Sequence, residues 1–503
     1  MRNTKLTAAL LAGVMAISAM VNTGVSAAPK KNGGMRDITT TELVHEMGIG
    51  INLGNTMEAC GDWIKEVDEK WGDGIMEVKD YETAWGSPII TQPMIQGMAD
   101  EGFGVVRVPV AWSNMMEDDG KYTINADYTA RVQQIVDWVL DADMYCIINI
   151  HWDNGWVNNF PEDETGCMKR YEIMWTQIAK AFEDYDDRLM FESQNEELGW
   201  ESIWNPWSGT QAQKEKSYAL CNKVNQKFVD VIRSSGGNNP KRHLLISGYN
   251  TGFDRTCDPL FKMPQDPANR MAISVHYYTP VGFAILEDKD ESWAKCRSTW
   301  GTEEDYKELD GWMDMMKTNY ADKGIPVIIG EYGCPTKGKE PESVRKFLSS
   351  VCKAAYERGL CPVLWATPRD GERPEDTLSG HYDRETCKLC DPELKKAFNE
   401  ITGFTPKEKT TEPTTEATTE ATTGATTEPT TKAATEATTE KPAFETGDVN
   451  EDGALDIMDV IALQKWLLGL ESKAGGKTSD LNNDDVVDIY DLGLLMRMIV
   501  NAK

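Results

Sequence analysis

Short runs of apolar, often β-branched residues alternate with longer stretches of helical periodicity over most of this chain. The runs lie at 48–53, 104–109, 145–150, 189–193, 243–247, 272–276, 327–331 and 362–366. Runs of this length and composition are predicted to be strands buried on both faces. Between them, Tyr128, Val132, Ile135, Val136 and Val139 follow an i, i+4, i+7, i+8, i+11 spacing, which puts one apolar stripe on a helix. A second helix is predicted over 168–185, ended by the turn Asp186-Asp187. Eight strands, each followed by a helix or long loop, predict an α/β fold: a (β/α)8 TIM barrel in preference to a doubly wound sheet.

The pattern breaks at two places. Residues 1–27 carry Arg2 and Lys5, an apolar run from Leu6 to Val21, and then Val25-Ser26-Ala27, the charged, apolar and small-residue order of a secretory signal peptide. From 405 to 446 the chain repeats Thr-Thr-Glu-Ala and Thr-Thr-Glu-Pro almost without large apolar residues, so it buries too little to offset the entropy of ordering and reads as a linker. That leaves 28–404 as a large domain and 447–503 as a small one. No later apolar run is long enough to span a bilayer, so a secreted, extracellular protein without membrane insertion is expected.

The net charge of −30 argues against nucleic acid, because phosphate recognition needs a basic surface. Eleven cysteines are an odd number for an exported chain. Cys146 and Cys361 sit in or beside apolar runs and read as core residues. Cys387 and Cys390 form a lone C-x-x-C pair, a local disulfide or plain thiols in preference to a zinc site.

Barrel active sites are assembled at the carboxyl ends of the strands. Here those ends carry Asn52 and Glu58, Arg107, His151-Trp152, Asn195-Glu196, His276-Tyr277-Tyr278, Glu331 and Trp365. Two carboxylates, Glu196 and Glu331, on different strands and without a metal-ligand cluster or phosphate loop, suit hydrolysis of an acetal, which needs one proton donor and one carboxylate facing an oxocarbenium-like centre. Trp152, Trp156, Trp200, Trp204, Trp207, Trp300 and Trp365 fall in or near the same loops, where some can stack on sugar rings and others only fill gaps. Glu192 and Glu197 are rival carboxylates beside Glu196.

Gly50-Ile51-Asn52-Leu53-Gly54-Asn55-Thr56-Met57-Glu58, the run from Phe103 to Trp112, Ile148-Asn149-Ile150-His151, Ser274-Val275-His276-Tyr277-Tyr278 and Val327-Ile328-Ile329-Gly330-Glu331-Tyr332-Gly333 together resemble glycoside hydrolase family five, in particular its subfamily four of endoglucanases. The resemblance implies that Glu331 is the nucleophile and Glu196 the acid/base. It also implies that Asn195 binds the sugar 2-hydroxyl, that Arg107 and Tyr278 keep Glu331 ionised and aimed, that His151 and His276 position sugar and carboxylates, and that Trp365 forms a floor under the sugar. One departure is visible: the family's Asn-Glu-Pro reads Asn195-Glu196-Glu197 here.

In the small segment, Asp448, Asn450, Asp452, Asp456 and Asp459 occupy positions 1, 3, 5, 9 and 12 of a twelve-residue loop with Gly453 at position 6, an arrangement for calcium. Asp480, Asn482, Asp484, Asp488 and Asp491 repeat it, with Asp485 in place of the glycine. Apolar helices are expected after each loop, at 460–468 and 492–499, giving a small all-α domain with two EF-hand-like loops and two Ca2+ ions. The pair resembles a dockerin, which implies a cohesin module on a scaffold protein as partner. Ile457-Met458 and Ile489-Tyr490 replace the usual Ser-Thr recognition pairs, implying a more apolar cohesin specificity.

The expectation is therefore a retaining endo-β-1,4-glucanase, needing no cofactor for catalysis, acting on cellulose or related β-glucan and mounted on a scaffold. A xyloglucanase, xylanase or mannanase of the same fold, or a barrel that binds polysaccharide without cutting it, are the alternatives.

Overall fold

The structure, a computed structural model, describes residues 34–72, 74–117, 119–196, 203–368, 379–405 and separate positions between 447 and 495. The leader expected at 1–27 and, apart from Thr405, the linker expected at 405–446 lie outside the described residues. The chain divides into two units, Met1–Thr411 and Glu412–Lys503.

In the first unit eight parallel strands close into a barrel in sequential order. They are β1 (Gly50–Asn52), β2 (Val105–Val108), β3 (Tyr145–Ile148), β4 (Leu189–Glu192), β5 (Leu244–Ser247), β6 (Met271–Tyr277), β7 (Val327–Tyr332) and β8 (Cys361–Leu364), and β1 pairs with β8 to close the ring. Each overlaps a predicted run. The helix Ala126–Asp141 buries the whole predicted stripe and is capped by Asn125, whose side chain accepts from the Asp127 and Tyr128 N–H groups. The helix expected at 168–185 runs Glu164–Ala181 instead, because Asp163 caps it a turn earlier through the Gly166 N–H.

Alternation along the strands sorts their side chains into two environments. One set, including Val106, Val108, Ile148 and Phe191, faces the surrounding helices. The other, including Val105, Tyr145, Ile147, Met190, Leu245, Ala272, Ile328, Cys361 and Val363, fills the lower barrel interior, packed with Leu43, Val44 and Met47 of the helix Thr40–Met47. One step further up, the inward positions turn polar. Asn52, Arg107, Asn149, Glu192 and Ser274 are all inaccessible to solvent, and such a layer is tolerable only if its groups satisfy one another.

They do so around Glu192. One of its oxygens accepts from Arg107 Nε at 2.8 Å and Asn149 Nδ2 at 2.9 Å, the other from Ser274 Oγ at 2.7 Å. Arg107 Nη1 also donates to Asn52 Oδ1 at 3.0 Å. This buried layer is the rigid floor on which the upper side chains stand.

β7 adds a special feature. Ile328 faces the interior and Val327 and Ile329 face the helices, so strict alternation would turn Glu331 outward. The β6–β7 register shifts instead: Val275 pairs with Ile329, but His276 pairs with Glu331. Gly330 is the extra residue of this bulge, and Glu331 is thereby re-aimed inward beside His276. A Cβ at position 330 would lie 2.9 Å from Ser274 Oγ and 3.1 Å from His276 Nε2, so glycine admits the close approach.

In the second unit Val449, Val460, Leu463 and Leu495 form one buried cluster, with Trp466, Leu481 and Val487 against it. Residues from both loop repeats thus share a core, and the described residues of 460–468 and 492–499 are helical. Cys146 and Cys361 are fully buried on β3 and β8, as expected. The Cys387 and Cys390 thiols donate to different carbonyls, those of Arg384 and Gly380, which fits plain thiols.

Candidate active site

The carboxyl ends of the strands converge on Glu196 and Glu331. One oxygen of each and a ring nitrogen of His276 all lie within 4.8 Å of one another. Glu331 accepts from Arg107 Nη1 at 2.8 Å and from the Tyr278 hydroxyl at 2.9 Å, one donor to each oxygen. Arg107 Nη2 holds Asn195 Oδ1 at 2.9 Å. One guanidinium thus joins Glu192, Asn52, Asn195 and Glu331, a use of its fixed fork of donors that lysine could not reproduce.

Glu196 stands on the opposite side, its side chain 45 % exposed against 7 % for Glu331. His276 Nδ1 is 2.6 Å from Glu196 and 3.6 Å from Glu331. Burial opposes charging this ring, but Glu331 and Glu196 outweigh it and raise its pKa. His151 behaves oppositely: burial, Arg107 and His276 all push it well down, so it stays neutral. Its ring stacks with Trp365 at 6.0 Å between centroids and 8° between planes.

Burial and neighbours shift the two carboxylates in opposite directions. Burial pulls Glu196 up, yet its bond with His276 carries the balance downward. Burial raises Glu331 against the pull of His276 and Arg107, with Glu196 adding to the rise. The physical cause is His276, whose ring lies between the two carboxylates, 2.6 Å from Glu196 and 3.6 Å from Glu331.

The same trio has the spacing to hold a divalent cation. Arg107 argues against it, since its charge already sits 2.8 Å from Glu331, whose other oxygen is engaged by Tyr278.

A cleft of about 840 Å³ opens beside Glu196, lined among others by Asn195, Trp152, Thr251, Arg255, Tyr278 and Trp312. Of the expected tryptophans, Trp152 reaches this cleft, while Trp156 and Trp300 are buried fillers at 7 % and 4 % exposure; Trp200 lies outside the described residues. Glu192 is the buried hub described above, which removes it as a rival for proton transfer, and Glu197 lies outside the described residues. Glu58 turns inward to accept the Asn55 and Thr56 N–H groups, and burial pushes it up to about 7; it braces the loop after β1. Asn250 and Thr251, in the segment after β5, line the cleft without any charged residue to signal them. Trp312, from the helix Glu303–Asn319, had no strand-end signal either.

Comparison with known proteins settles the family. The model of cellulase, glycosyl hydrolase family 5, matches residues 67–370. The chain belongs to glycosyl hydrolase family 5. A family 5 subfamily 4 broad-specificity endoglucanase from an uncultured bovine rumen ciliate superposes with a TM-score of 0.63 at 36% identity, covering 73% of this chain and 98% of that one. Endoglucanase B of Clostridium cellulovorans is 29% identical over 87% of this family 5 chain and 85% of its own length. A xyloglucan-specific endo-β-1,4-glucanase of Bacteroides ovatus is 36% identical over 66% of each chain. The dockerin type I model matches residues 446–500.

Of the ten calcium candidates only Asn450 and Asp459 fall among the described residues, as do none of the four cohesin-recognition positions. Asp459 is fully buried, and its Oδ1 accepts the Val449 N–H at 2.8 Å and the Asn450 N–H at 3.2 Å. Position 12 of the first loop therefore folds back onto its start. With a donor set of carboxylate and amide oxygens, this suits a hard cation such as calcium.

Proposed function

We propose that this family 5 enzyme hydrolyses internal β-1,4 bonds of cellulose or related β-glucan by double displacement, with Glu331 as nucleophile and Glu196 as acid/base. The approach of the two carboxylates to within 4.8 Å carries this reading, since direct attack needs a separation near 5 to 5.5 Å and a water-mediated inversion needs about 6.5 Å or more. A sugar chain over Glu196 displaces water, favours its neutral form and draws the proton from His276 across their 2.6 Å contact. Glu331, held by Arg107 and Tyr278, then attacks the anomeric carbon while Glu196 protonates the leaving oxygen. In the second half, Glu196 takes a proton from water as the water displaces Glu331. Asn195 is fixed by Arg107 to meet the sugar 2-hydroxyl, and Trp365, stacked with His151, offers a flat apolar face to the ring.

The test is hydrolysis of cellulose, mixed-linkage glucan, xyloglucan, xylan and glucomannan, with the first-formed product anomer followed by NMR. The β-anomer from glucan is expected; initial α-anomer, or strong preference for xylan, would reject the reading. The Bacteroides relative gives the xyloglucan alternative its support.

Residues 1–27 are the proposed export leader, 405–446 the linker, and 447–503 a dockerin holding two calcium ions and binding a cohesin through a more apolar surface than usual. Calcium, when bound, cross-links the acidic loops; Asp448, Asn450, Asp452, Asp456 and Asp459, with Asp480, Asn482, Asp484, Asp488 and Asp491, would hold it. The segment's small core should then depend on metal. Chelation is expected to abolish cohesin capture in a pull-down while glucanase activity stays within about twofold, because the barrel has its own core; equal loss of both would contradict independent domains.

A further inference from the structure

The segment after β5 reaches back to Glu196. Asn250 Nδ2 donates to the main-chain carbonyl of Glu196 at 2.9 Å, and Asn250 Oδ1 accepts from Arg255 Nη1. Arginine can only donate, so this contact fixes the amide orientation and leaves Nδ2 facing Glu196. Asn250 and Thr251 are consecutive non-glycine residues with φ of 47° and 45°. For β-branched Thr251 that is an outlier, and strain of this kind persists only where the surroundings impose it. Thr251 is buried, but its hydroxyl lies 3.5 Å from Glu196 Oε1, too far to steer it firmly.

Glu196 needs such support. β4 ends at Glu192, four residues earlier, and residue 197 is glutamate, so no proline ring restricts the backbone there. Among the described residues, its half-exposed side chain has His276 as its one partner at short range.

The geometry points to Asn250 as a positioning residue for Glu196: its amide grips the main chain of the acid/base and so sets where the carboxyl meets the leaving oxygen. Arg255 holds that amide in its working orientation. This rests on the reading of Glu196 as acid/base. It is separable from it, because a positioning loss weakens proton donation and leaves nucleophilic attack intact.

The experiment compares kcat/KM of the full-length enzyme on cellotetraose, whose leaving group needs a proton, and on 2,4-dinitrophenyl β-cellobioside, whose leaving group does not. Asn250→Gly removes the amide and tolerates the left-handed backbone. It is expected to lose about 10²-fold on cellotetraose, the cost of roughly an ångström of misplacement, and no more than about threefold on the aryl glycoside. Asn250→Asp keeps the Arg255 contact but lacks the donor, and should show the same split; it decides the matter if the glycine variant does not fold. Equal losses on both substrates, or no loss on cellotetraose, would overturn the proposal. Full activity of Glu196→Ala on cellotetraose would instead remove the acid/base reading itself.

Discussion

Glu331→Gln is expected to lower kcat on β-glucan on the order of 10⁵-fold, about 7 kcal/mol in the barrier, as for loss of a covalent nucleophile elsewhere. The substitution keeps shape and removes only charge and nucleophilicity. Arg107 retains its pair with Glu192 and its bonds to Asn52 and Asn195, so no buried cation is left alone and the fold should survive. Without the carboxylate no glycosyl ester forms, and excellent leaving groups should not help. Rates on carboxymethyl cellulose and on 2,4-dinitrophenyl β-cellobioside, with a thermal melt as control, check this. A variant within tenfold of the parent on either substrate would exclude Glu331 as nucleophile.

Much of this site was readable before any coordinates because a barrel fixes where chemistry occurs. Once eight apolar runs were found, Arg107, Glu196, His276 and Glu331 followed as the polar groups at their ends, and the structure brings them together. Alternation alone would nevertheless have misplaced Glu331. What turns it inward is the Gly330 bulge, a register shift between two strands that no single-strand pattern contains. Glu192 was visible as a rival, but its role depends on Arg107, Asn149 and Ser274 arriving from three other strands. Asn250 carries no signal in the sequence, because β5 leads from Ser247 into Gly248-Tyr249-Asn250-Thr251, uncharged residues that read as an ordinary turn. Helix 164–181 began early for a related reason: Asp163 acts as a cap through a contact that apolar periodicity does not register. The pKa shifts are the least legible, since they depend on His276 lying 2.6 Å from Glu196 and 3.6 Å from Glu331, distances that no sequence pattern contains.

Glu196→Ala should divide the reaction into halves. On glucan, where the leaving hydroxyl must be protonated, a loss of about 10³- to 10⁴-fold is expected, the usual range for an acid/base group. On 2,4-dinitrophenyl β-cellobioside, attack by Glu331 needs no proton, so the glycosyl ester should form and then accumulate, because no base activates water. Azide needs no base and fits the space vacated by the carboxylate, which is already 45 % exposed. Adding it should restore turnover and yield cellobiosyl azide. The stereochemistry of that product is the sharper readout. Glu331 attacks from the α face, so an anion entering where Glu196 stood must arrive from the β face and give the β-azide. An α-azide would mean that azide had replaced Glu331 rather than Glu196, and unrescued, uniform loss on both substrates would mean that Glu196 holds the site together without handling the proton. His276 supplies an internal check: deprived of Glu196 it loses one of the two anions that raise its pKa, so its titration, followed by NMR, should move to lower pH in the variant.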